Sequence, residues 1–415
     1  MRSAGVLALK NCLVFDGKSE RLNDGAHIVI ENGRIKDLLP TSAVISGDFI
    51  DCAGRFVMPG LIDAHIHAYA SAYSFQALDN RPESYRALCA GESLRAMLHR
   101  GFTSVRDAGG GDIGLAEALA ERRIEGPRFF YAGKAISQTG GHGDMRHLRT
   151  HLGCECGSYS GVISRVADGE DQVRIAAREE LRLGASQIKL FVSGGVSSPS
   201  DPIWMPQFTD REVRAAVEEA QTRRAYVMAH CHTQDAARRC VELGVRSIEH
   251  GSELDEATAD LIAKHDVFVT PTLSVVDILL RHASELNVPT NDRRKLEGLY
   301  DKMCASIANC AKAGVKLGLG SDILGDRYQH LQAGELALRG RLQPALEVLR
   351  SATSVNASMM QQAGQIGVIT PGAHADLLVL NFNPLNDLAA FQNTENMAAI
   401  IKGGQLIRLA LEGAP

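Results

Sequence analysis

Apolar and polar residues alternate near both ends of the chain with a period of two, which predicts β-strands. Near the start, the segments LVFDG, HIVIENGRIKDLL and FIDCAGRF alternate around Asp-Gly and Asn-Gly turns. Near the end, ADLLVLNFNPL and MAAIIKGGQLIRLAL show the same pattern, separated by a polar segment. We therefore predict one small β-sandwich domain that combines residues 1–56 with residues 367–415.

The middle of the chain, residues 57–366, has a different pattern. Short apolar segments alternate with longer segments of helical periodicity, such as REVRAAVEEAQTRR and ATADLIAKH, as is typical of an α/β fold with a parallel sheet. Eight segments are predicted strands: 57–67, 102–108, 128–136, 187–194, 225–231, 246–251, 267–273 and 315–322. Eight strand–helix repeats favour a closed (β/α)₈ barrel of the TIM type over an open sheet.

Composition changes this picture little but excludes some functions. The chain has 415 residues, of which 45% are apolar, and a net charge of −5, which gives no basic surface for nucleic acid or an anionic membrane. No apolar stretch reaches the roughly 18 residues that a membrane-spanning helix needs. Most of the nine cysteines stand singly in apolar segments, and the start does not resemble a signal peptide. We therefore expect reduced thiols and a cytoplasmic location.

Polar side chains stand at the C-terminal ends of four predicted barrel strands, where barrel enzymes place their active sites. The first strand ends in His65 and His67, which point the same way because they are two residues apart. His230 and His250 end the fifth and sixth strands, and Asp322 ends the eighth. Each alone is equally explained by a hydrogen-bonded histidine or a helix cap. Five such residues on four strands predict a shared metal-binding site.

A charged residue, Lys189, lies inside the apolar fourth strand, in QIKLFVSGG. A lysine in such surroundings must become neutral, pair with an anion, or be modified. A neutral amine can take up carbon dioxide, and the resulting carbamate is an anionic ligand whose two oxygens could bridge two cations. The alternative is an ion pair with Asp322 or Asp107.

Four histidines and two anionic groups suit two divalent ions. Nitrogen and oxygen ligands without thiolate fit Zn²⁺ best, with Mn²⁺, Co²⁺ and Fe²⁺ as alternatives. Two such ions, roughly 3.5–4 Å apart, lower the pKa of water and polarise a carbonyl oxygen. We expect Asp322 to accept the proton of that water and to pass it to the leaving nitrogen.

Several motifs together resemble the amidohydrolase superfamily over nearly the whole chain: HIH after PGLIDA, the fourth-strand lysine, two later histidines, GSD, and PGAHADLLVL. GFTSVRDAGG, AISQTGGHGD, RVADG and QIKLFVSGGVSSPSDP are similar to its branch of Xaa-Pro dipeptidases (prolidases), which bacterial ochratoxin A-degrading amidohydrolases also resemble. The resemblance implies six metal ligands: His65, His67, Lys189, His230, His250 and Asp322. The first pair and the aspartate would hold one ion, the second pair the other, and N6-carboxylysine would bridge them.

Four residues are predicted to contact the substrate. His142 follows two glycines in the long loop after the third strand, and the resemblance implies that it polarises the scissile carbonyl or binds a terminal carboxylate; a solvated loop histidine is the alternative. His232 stands where prolidases of this branch carry tyrosine, which weakens the expected proline preference but still allows a hydrogen bond to a carboxylate. Ser193 and Gly194 would bring backbone N–H groups to a substrate anion, unless they only form a turn.

The same long loop, residues 137–162, also contains His147, His151, Cys154 and Cys156. These are zinc-ligand types, but their spacing fits no standard zinc motif, so a loop that lines the pocket is the favoured interpretation. A second long connection, residues 274–296, has a partly helical pattern. Loops of this length at strand ends usually shape a site.

The predicted reaction is hydrolysis of an amide bond in a dipeptide or N-acyl amino acid with a free carboxylate, with Xaa-Pro dipeptides first. An ochratoxin A amidase that releases phenylalanine is the closest alternative. A cyclic amidine deaminase is disfavoured because many such enzymes use one metal and lack the fourth-strand lysine. A catalytically silent scaffold is disfavoured because all six ligands are present. The expected partners are a small-molecule or dipeptide substrate and further copies of the chain in a homo-oligomer, without nucleic acid or membrane.

Overall fold

The structure is a computed structural model that describes residues 6–20, 23–147, 159–198 and 200–410. Its first strands are β1 (Leu7–Val14), β2 (Asn23–Glu31), β3 (Arg34–Pro40), β4 (Asp48–Asp51) and β5 (Phe56–Pro59). β1, β2 and β3 pair antiparallel, whereas β4 and β5 both pair parallel to β1. The alternating pattern at the start of the chain therefore does form strands.

Ten short strands follow, and every described pairing among them is parallel. They are β6 (Leu61–Ile66), β7 (Phe102–Asp107), β8 (Arg128–Tyr131), β9 (Ala135–Ser137), β10 (Ser164–Val166), β11 (Gln187–Phe191), β12 (Tyr226–Thr233), β13 (Ser247–Glu253), β14 (Phe268–Thr270) and β15 (Lys316–Leu317). The predicted first strand is interrupted at Gly60, where a Cβ would lie 2.1 Å from Thr103 Oγ1. The predicted third strand is interrupted near Gly133, whose φ is +69°.

Three strands near the end complete the first sheet: β16 (Leu377–Leu380), β17 (Met397–Lys402) and β18 (Gln405–Leu409). The order is β18-β17-β16-β5-β1-β2-β3, with β4 against β1. β16 pairs with β5, so the two ends of the chain share hydrogen bonds. The described strands form one continuous mixed sheet where the sequence predicted a sandwich, because β5 joins the early and late strands edge to edge.

The described parallel strands do not form one closed sheet. Seven follow the order β10-β9-β11-β12-β13-β14-β15, and β6-β7-β8 form a separate sheet. Isolated backbone hydrogen bonds connect the two: Ala64 N–H donates to Leu319 O, and Ser186 N–H donates to Tyr131 O. The predicted closed barrel is therefore not confirmed. A physical reason is that β15 has only two residues before the glycine-rich GLGSD segment, which leaves little ladder to close the ring.

Helices cover the parallel strands. They are α1 (Phe75–Asp79), α2 (Glu83–His99), α3 (Ile113–Ala120), α4 (Glu170–Arg182), α5 (Asp210–Thr222), α6 (Gln234–Glu242), α7 (Glu256–Lys264), α8 (Leu273–Arg281), α9 (Thr290–Leu296), α10 (Leu299–Ala313), α11 (Gly334–Gly340), α12 (Ala345–Arg350) and α13 (Asn356–Met359). The start of α5 is fixed by its sequence, since Thr209 and Glu212 form a capping box there. Among the described helices, none is long and apolar enough to cross a bilayer.

The largest apolar core lies between these helices and the seven-stranded sheet. It combines strand residues such as Ile188 and Val227 with helix residues such as Val213 and Ile262, all essentially inaccessible to solvent. Burial of each such side chain stabilises the fold by about 1.5–3 kcal/mol relative to an exposed one. Because the strands are fixed along most of their length, the side chains that follow their C-terminal ends are held in defined positions.

Candidate metal centre and substrate pocket

Side chains from the end of β6, from β13 and from the end of the eighth predicted segment converge at one point. His65 Nε2 lies 3.6 Å and His67 Nε2 lies 3.4 Å from Asp322 Oδ1. His250 Nδ1 lies 3.9 Å from Asp322 Oδ2. One ligand atom each from His65, His250 and Asp322 all lie within 4.8 Å of one another. The structure thus brings together four of the six predicted ligands in a compact cluster.

The two histidines of β6 are each held from behind by a second hydrogen bond. His65 Nδ1 lies 2.7 Å from Glu249 Oε2, and His67 Nδ1 lies 2.9 Å from Gly109 O. Both partners are acceptors, so Nδ1–H donates in each ring and the Nε2 lone pair is left free. Both Nε2 atoms face Asp322. A metal-binding histidine has this arrangement, with its far nitrogen donating to a carboxylate or carbonyl.

Left-handed backbone occurs at two residues of the cluster. His250 has φ +72° and Asp322 has φ +52°. Thr272, whose Oγ1 lies 2.8 Å from His250 Nδ1, has φ +52° as well. Non-glycine residues seldom adopt this conformation, and where they do they cluster at active sites and ligand sites. The surrounding structure therefore enforces the direction of these side chains.

A second group of histidine rings lies beside the cluster. The ring centroid of His230 is 4.6 Å from that of His250, 4.7 Å from that of His232 and 4.2 Å from that of His142. His230 Nε2 lies 3.2 Å from Gly194 O. The rings of His142, His232 and His250 therefore all lie beside that of His230.

Lys189 is 2% exposed and lies in β11 at the edge of the cluster. Burial lowers the pKa of Lys189 to about 8, although Glu249 and Asp322 raise it. Within the described ranges, no hydrogen bond or ion pair reaches Lys189 Nζ. The alternative of an ion pair with Asp107 is not seen, because that carboxylate accepts three backbone N–H groups instead. A buried amine that loses its proton easily is the form that reacts with carbon dioxide.

Burial favours the neutral form of three of the predicted histidine ligands, whereas at His67 the hydrogen bond and charge of Asp322 outweigh burial and raise the pKa. Burial lowers the pKa of His65 to about 4, and it lowers the pKa values of His230 and His250 well below the usual range. Neutral imidazole is the form that binds metal ions. The donor set of the cluster, which consists of imidazole nitrogens and a carboxylate without thiolate, therefore fits a divalent ion such as zinc.

The cluster forms the floor of a cavity of about 690 Å³ that is partly open to solvent. One wall is apolar and comes from the long connection after β14. It consists of Val275, Val276 and Leu279 on α8, Leu296 on α9 and Met303 on α10. The sequence predicted that this connection would be partly helical and would shape the site, and the structure shows it doing so.

His142 and His232 both line this cavity. His142 is 8% exposed, so it is not a solvated loop residue, and its Nδ1 lies 2.9 Å from Ser198 Oγ and 3.2 Å from Asp201 Oδ2. His232 Nδ1 lies 2.8 Å from Ser252 Oγ. Each ring is thus fixed through Nδ1 at the edge of the cavity.

Ser193 and Gly194 follow β11 directly. Ser193 Oγ accepts His232 N–H and donates to Gly194 O, both at 2.9 Å. Gly194 N–H donates to Met205 O at 2.8 Å. Because the Gly194 N–H already has a backbone partner, it could bind a substrate anion only if the hydrogen bond to Met205 O were broken. The predicted role of Ser193 and Gly194 in substrate binding stays a prediction.

The alternative zinc site in the long loop is not tested. His151, Cys154 and Cys156 lie outside the described residues. His147 is described, but it is not among the residues that line the cavity.

Three charged residues that support the site were not singled out from the sequence. Glu249 holds His65, Arg106 Nη2 donates to Glu249 Oε1 at 2.9 Å, and Asp201 contacts His142. The signal for Glu249 and Arg106 was present, because both are charged residues inside apolar strands, as Lys189 is. Asp201 lies in an irregular segment where no periodicity could have marked it.

The chain belongs to the amidohydrolase family, whose model matches residues 56–407. It is 34% identical to an ochratoxinase from Aspergillus niger over 369 residues, which are 85% of this chain and 75% of that protein. A crystal structure of an amidohydrolase has a TM-score of 0.94 and 39% identity, over 98% of this chain and 100% of that one. A prolidase in complex with N-methylphosphonate-L-proline has a TM-score of 0.93 and 42% identity, over 97% and 100%.

These findings define the class of protein. The chain is an enzyme of the amidohydrolase type, a hydrolase that acts on amide bonds, and members of this family generally use divalent metal ions. The resemblance inferred from the sequence motifs is thereby confirmed, including the likeness to prolidases and to an ochratoxinase.

Proposed function

We propose that the protein is a binuclear metal-dependent amidohydrolase that cleaves the amide bond of dipeptides or N-acyl amino acids with a free carboxylate. The observation that carries this proposal is the convergence of the free Nε2 atoms of His65 and His67 on Asp322, beside the buried Lys189, on the floor of a cavity with an apolar wall. Such a combination of ligand atoms and an apolar cavity is typical of a metal-dependent hydrolytic site.

The proposed ligands of two ions are His65, His67, Lys189 as N6-carboxylysine, His230, His250 and Asp322. Zinc suits this donor set best. When bound, two such ions would lower the pKa of water and polarise the scissile carbonyl. Support for the lysine modification comes from the lowered pKa of Lys189 and from its lack of an ion-pair partner among the described residues.

The side chains of the protein would supply the remaining chemistry. Asp322 would accept a proton from the attacking water and donate it to the leaving nitrogen, which fits its position between the histidines and the cavity. His142 would polarise the carbonyl or bind the terminal carboxylate, and His232 would donate a hydrogen bond to that carboxylate. Ser193 would hold His232 in place through the His232 N–H, and the Gly194 N–H would reach a substrate anion only after leaving Met205 O.

Xaa-Pro dipeptides are the first substrates to test, and the similar prolidase supports this choice. The second candidate is an ochratoxin-type aryl amide of phenylalanine. Two observations favour it: the wall formed by Val276, Leu279 and Met303 is wholly apolar, and the chain is 34% identical to an ochratoxinase. Each buried aromatic ring gains from such a wall in proportion to the area it covers.

The test is a hydrolysis screen of the zinc-reconstituted enzyme. Xaa-Pro, Xaa-Arg and Xaa-Phe dipeptides are compared with N-acyl amino acids and ochratoxin A by release of the free amino acid. The Asp322→Asn variant, purified in parallel, controls for contaminating peptidases. Preference for Xaa-Pro supports the dipeptidase, and preference for the aryl amide of phenylalanine supports the second candidate. Failure to release an amino acid from any member of the panel would refute the proposal.

Two further readouts address the other classes. Release of ammonia from cyclic amidines would identify a deaminase, and folded protein that takes up no metal would identify a silent scaffold. We further propose that residues 57–366 form the catalytic domain, that residues 1–56 and 367–415 form the companion domain, and that the protein assembles as a homo-oligomer. Size-exclusion chromatography with light scattering measures the assembly directly.

A further inference from the structure

One lysine outside the proposed metal centre caps a turn of backbone beside the cavity. Lys295, on α9, donates from Nζ to Gly195 O at 2.8 Å, to Ser198 O at 3.1 Å and to Asp201 O at 2.8 Å, and it makes a longer contact of 3.4 Å with Val196 O. An ammonium group has three donors, which match the three shorter contacts, to Gly195, Ser198 and Asp201. The three carbonyls belong to the segment that follows β11, which we call the 194–202 segment; its residue 199 lies outside the described residues.

The 194–202 segment in turn fixes His142. Asp201 Oδ2 accepts Gly195 N–H at 2.9 Å and lies 3.2 Å from His142 Nδ1. Ser198 Oγ lies 2.9 Å from the same nitrogen. The His142 ring lies directly against Gly195, since a Cβ built there would be 2.3 Å from His142 Cε1. The three contacts of the ring with this segment thus involve the same residues whose carbonyls Lys295 holds.

The helix that carries Lys295 is itself anchored across the cavity. Asp292, one turn earlier on α9, accepts the Tyr73 hydroxyl at 3.0 Å, and Ser197 Oγ donates to Tyr73 Oη at 2.9 Å. α9 is therefore tied both to the loop that follows β6 and to the 194–202 segment. A charged group held in this way can fix the backbone it contacts, because hydrogen bonds from an ammonium group are stronger than those between neutral groups.

We propose that Lys295 is a positioning residue for His142. Its ammonium group holds three carbonyls of the 194–202 segment, and the segment holds the imidazole of His142 in the orientation from which it reaches the substrate. This inference rests on the proposed function of His142. Without the charge, the three carbonyls would lose their common donor, and the hydrogen bond between Asp201 and Gly195 would remain to hold the segment less firmly.

The first test is Lys295→Met, which keeps an unbranched apolar side chain of nearly the same length and removes its charge and donors. We expect kcat/KM for the best substrate to fall by about 10–100-fold, since a displacement of about 1 Å can have this effect on a catalytic contact. Metal content should be unchanged, because Lys295 contacts no proposed ligand. If His142→Ala lowers mainly kcat, Lys295→Met should also lower mainly kcat, and if His142→Ala raises mainly KM, Lys295→Met should also raise mainly KM. The matched control is Lys312→Met, which removes an exposed lysine paired with Glu256.

A double-mutant cycle separates positioning from a general effect on the fold. If Lys295 acts through His142, Lys295→Met should have little further effect in the His142→Ala background. The proposal would be overturned if the two substitutions lowered kcat/KM independently, so that the double variant lost the product of the two single losses. A kcat/KM of Lys295→Met within about twofold of wild type would also overturn it. If Lys295→Met gives no folded protein, Lys295→Gln, which retains two donors, undergoes the same cycle.

The single tryptophan of the chain provides a readout that needs no activity. Trp204 lies three residues after Asp201 and is 74% exposed. Time-resolved fluorescence anisotropy should show a larger fast component in Lys295→Met than in wild type, and no change in Lys312→Met. This result would support the restraint by Lys295 even if the enzyme hydrolysed none of the proposed amides. An unchanged decay of the anisotropy would refute it.

Discussion

The most informative perturbation is Glu249→Gln, which changes one atom beneath the proposed metal centre. Glu249 Oε2 accepts from His65 Nδ1 and Oε1 accepts from Arg106, and all three side chains are essentially inaccessible to solvent. Burial alone would raise the pKa of Glu249, but the charge of Arg106 and the hydrogen bond from His65 outweigh it and lower the pKa to about 2. The residue is therefore a carboxylate at neutral pH, and an acceptor for His65.

A glutamine would reverse this hydrogen bond. Its Oε1 would accept from Arg106, which leaves its amide N–H groups to face His65 Nδ1. His65 would then accept at Nδ1 and carry its proton on Nε2, the atom that lies 3.6 Å from Asp322 Oδ1. Loss of such a supporting partner weakens metal binding by about 10–100-fold, or about 1.4–2.7 kcal/mol. Glu249→Gln also leaves Arg106 without a charged partner. The free energy of unfolding of the metal-free protein should therefore fall, by an amount towards the lower end of about 3–5 kcal/mol.

The assay is competition for zinc against a fluorescent chelator, with urea unfolding of the metal-free protein measured in parallel. Glu253→Gln is the matched control, because Glu253 lies on the same strand but pairs with Lys302 near the surface. It should change zinc affinity by less than about twofold, since surface ion pairs contribute little. Zinc affinity of Glu249→Gln equal to that of wild type would refute the reasoning about ring orientation, whatever happened to stability.

Four further outcomes are expected. Asp322→Asn should nearly abolish turnover while zinc analysis still finds much of the metal; activity within a few-fold of wild type would exclude the proton-transfer role. Lys189→Ala should lose metal and activity together, with partial rescue by a short carboxylic acid, and full metal occupancy would contradict the bridging role. Gly195→Ala should lower kcat/KM by about tenfold or more by displacing His142, with metal content unchanged. Leu279→Arg should lower kcat/KM for phenylalanine amides more than for small dipeptides, and equal losses would argue against an apolar subsite.

The sequence predicted well where a short repeating pattern reports local structure. The segments FTSVRDA and QIKLFVSG were predicted as strands because short apolar segments alternate there with longer helical ones, and the structure has the buried strands β7 and β11 at these places. His65 and His67 could be placed on one face because a strand alternates its side chains. The strand ends were also informative, since polar residues there have few structural reasons to follow an apolar run.

What depends on contacts between distant segments could not be predicted in this way. The break at Gly60 follows from its close approach to Thr103, which no local pattern reveals. The pairing of β5 with β16 joins residues more than 300 positions apart and turns a predicted sandwich into one sheet. Asp201 contacts His142 only because the 194–202 segment folds back over the long loop, so its role became visible only in three dimensions.

The buried ion pair of Arg106 and Glu249 beneath the site is not explained by its contribution to stability alone. Replacing a buried ion pair with well-packed apolar residues is often neutral or stabilising, so Arg106 and Glu249 are weak candidates for stabilising the fold. They do determine which nitrogen of His65 carries the proton, and thereby which nitrogen faces Asp322. Lys295 has the same relation to His142 through the 194–202 segment. In both places a buried or half-buried charge fixes an imidazole ring, and we expect the loss of that charge to weaken ligand binding and catalysis in addition to any effect on folding.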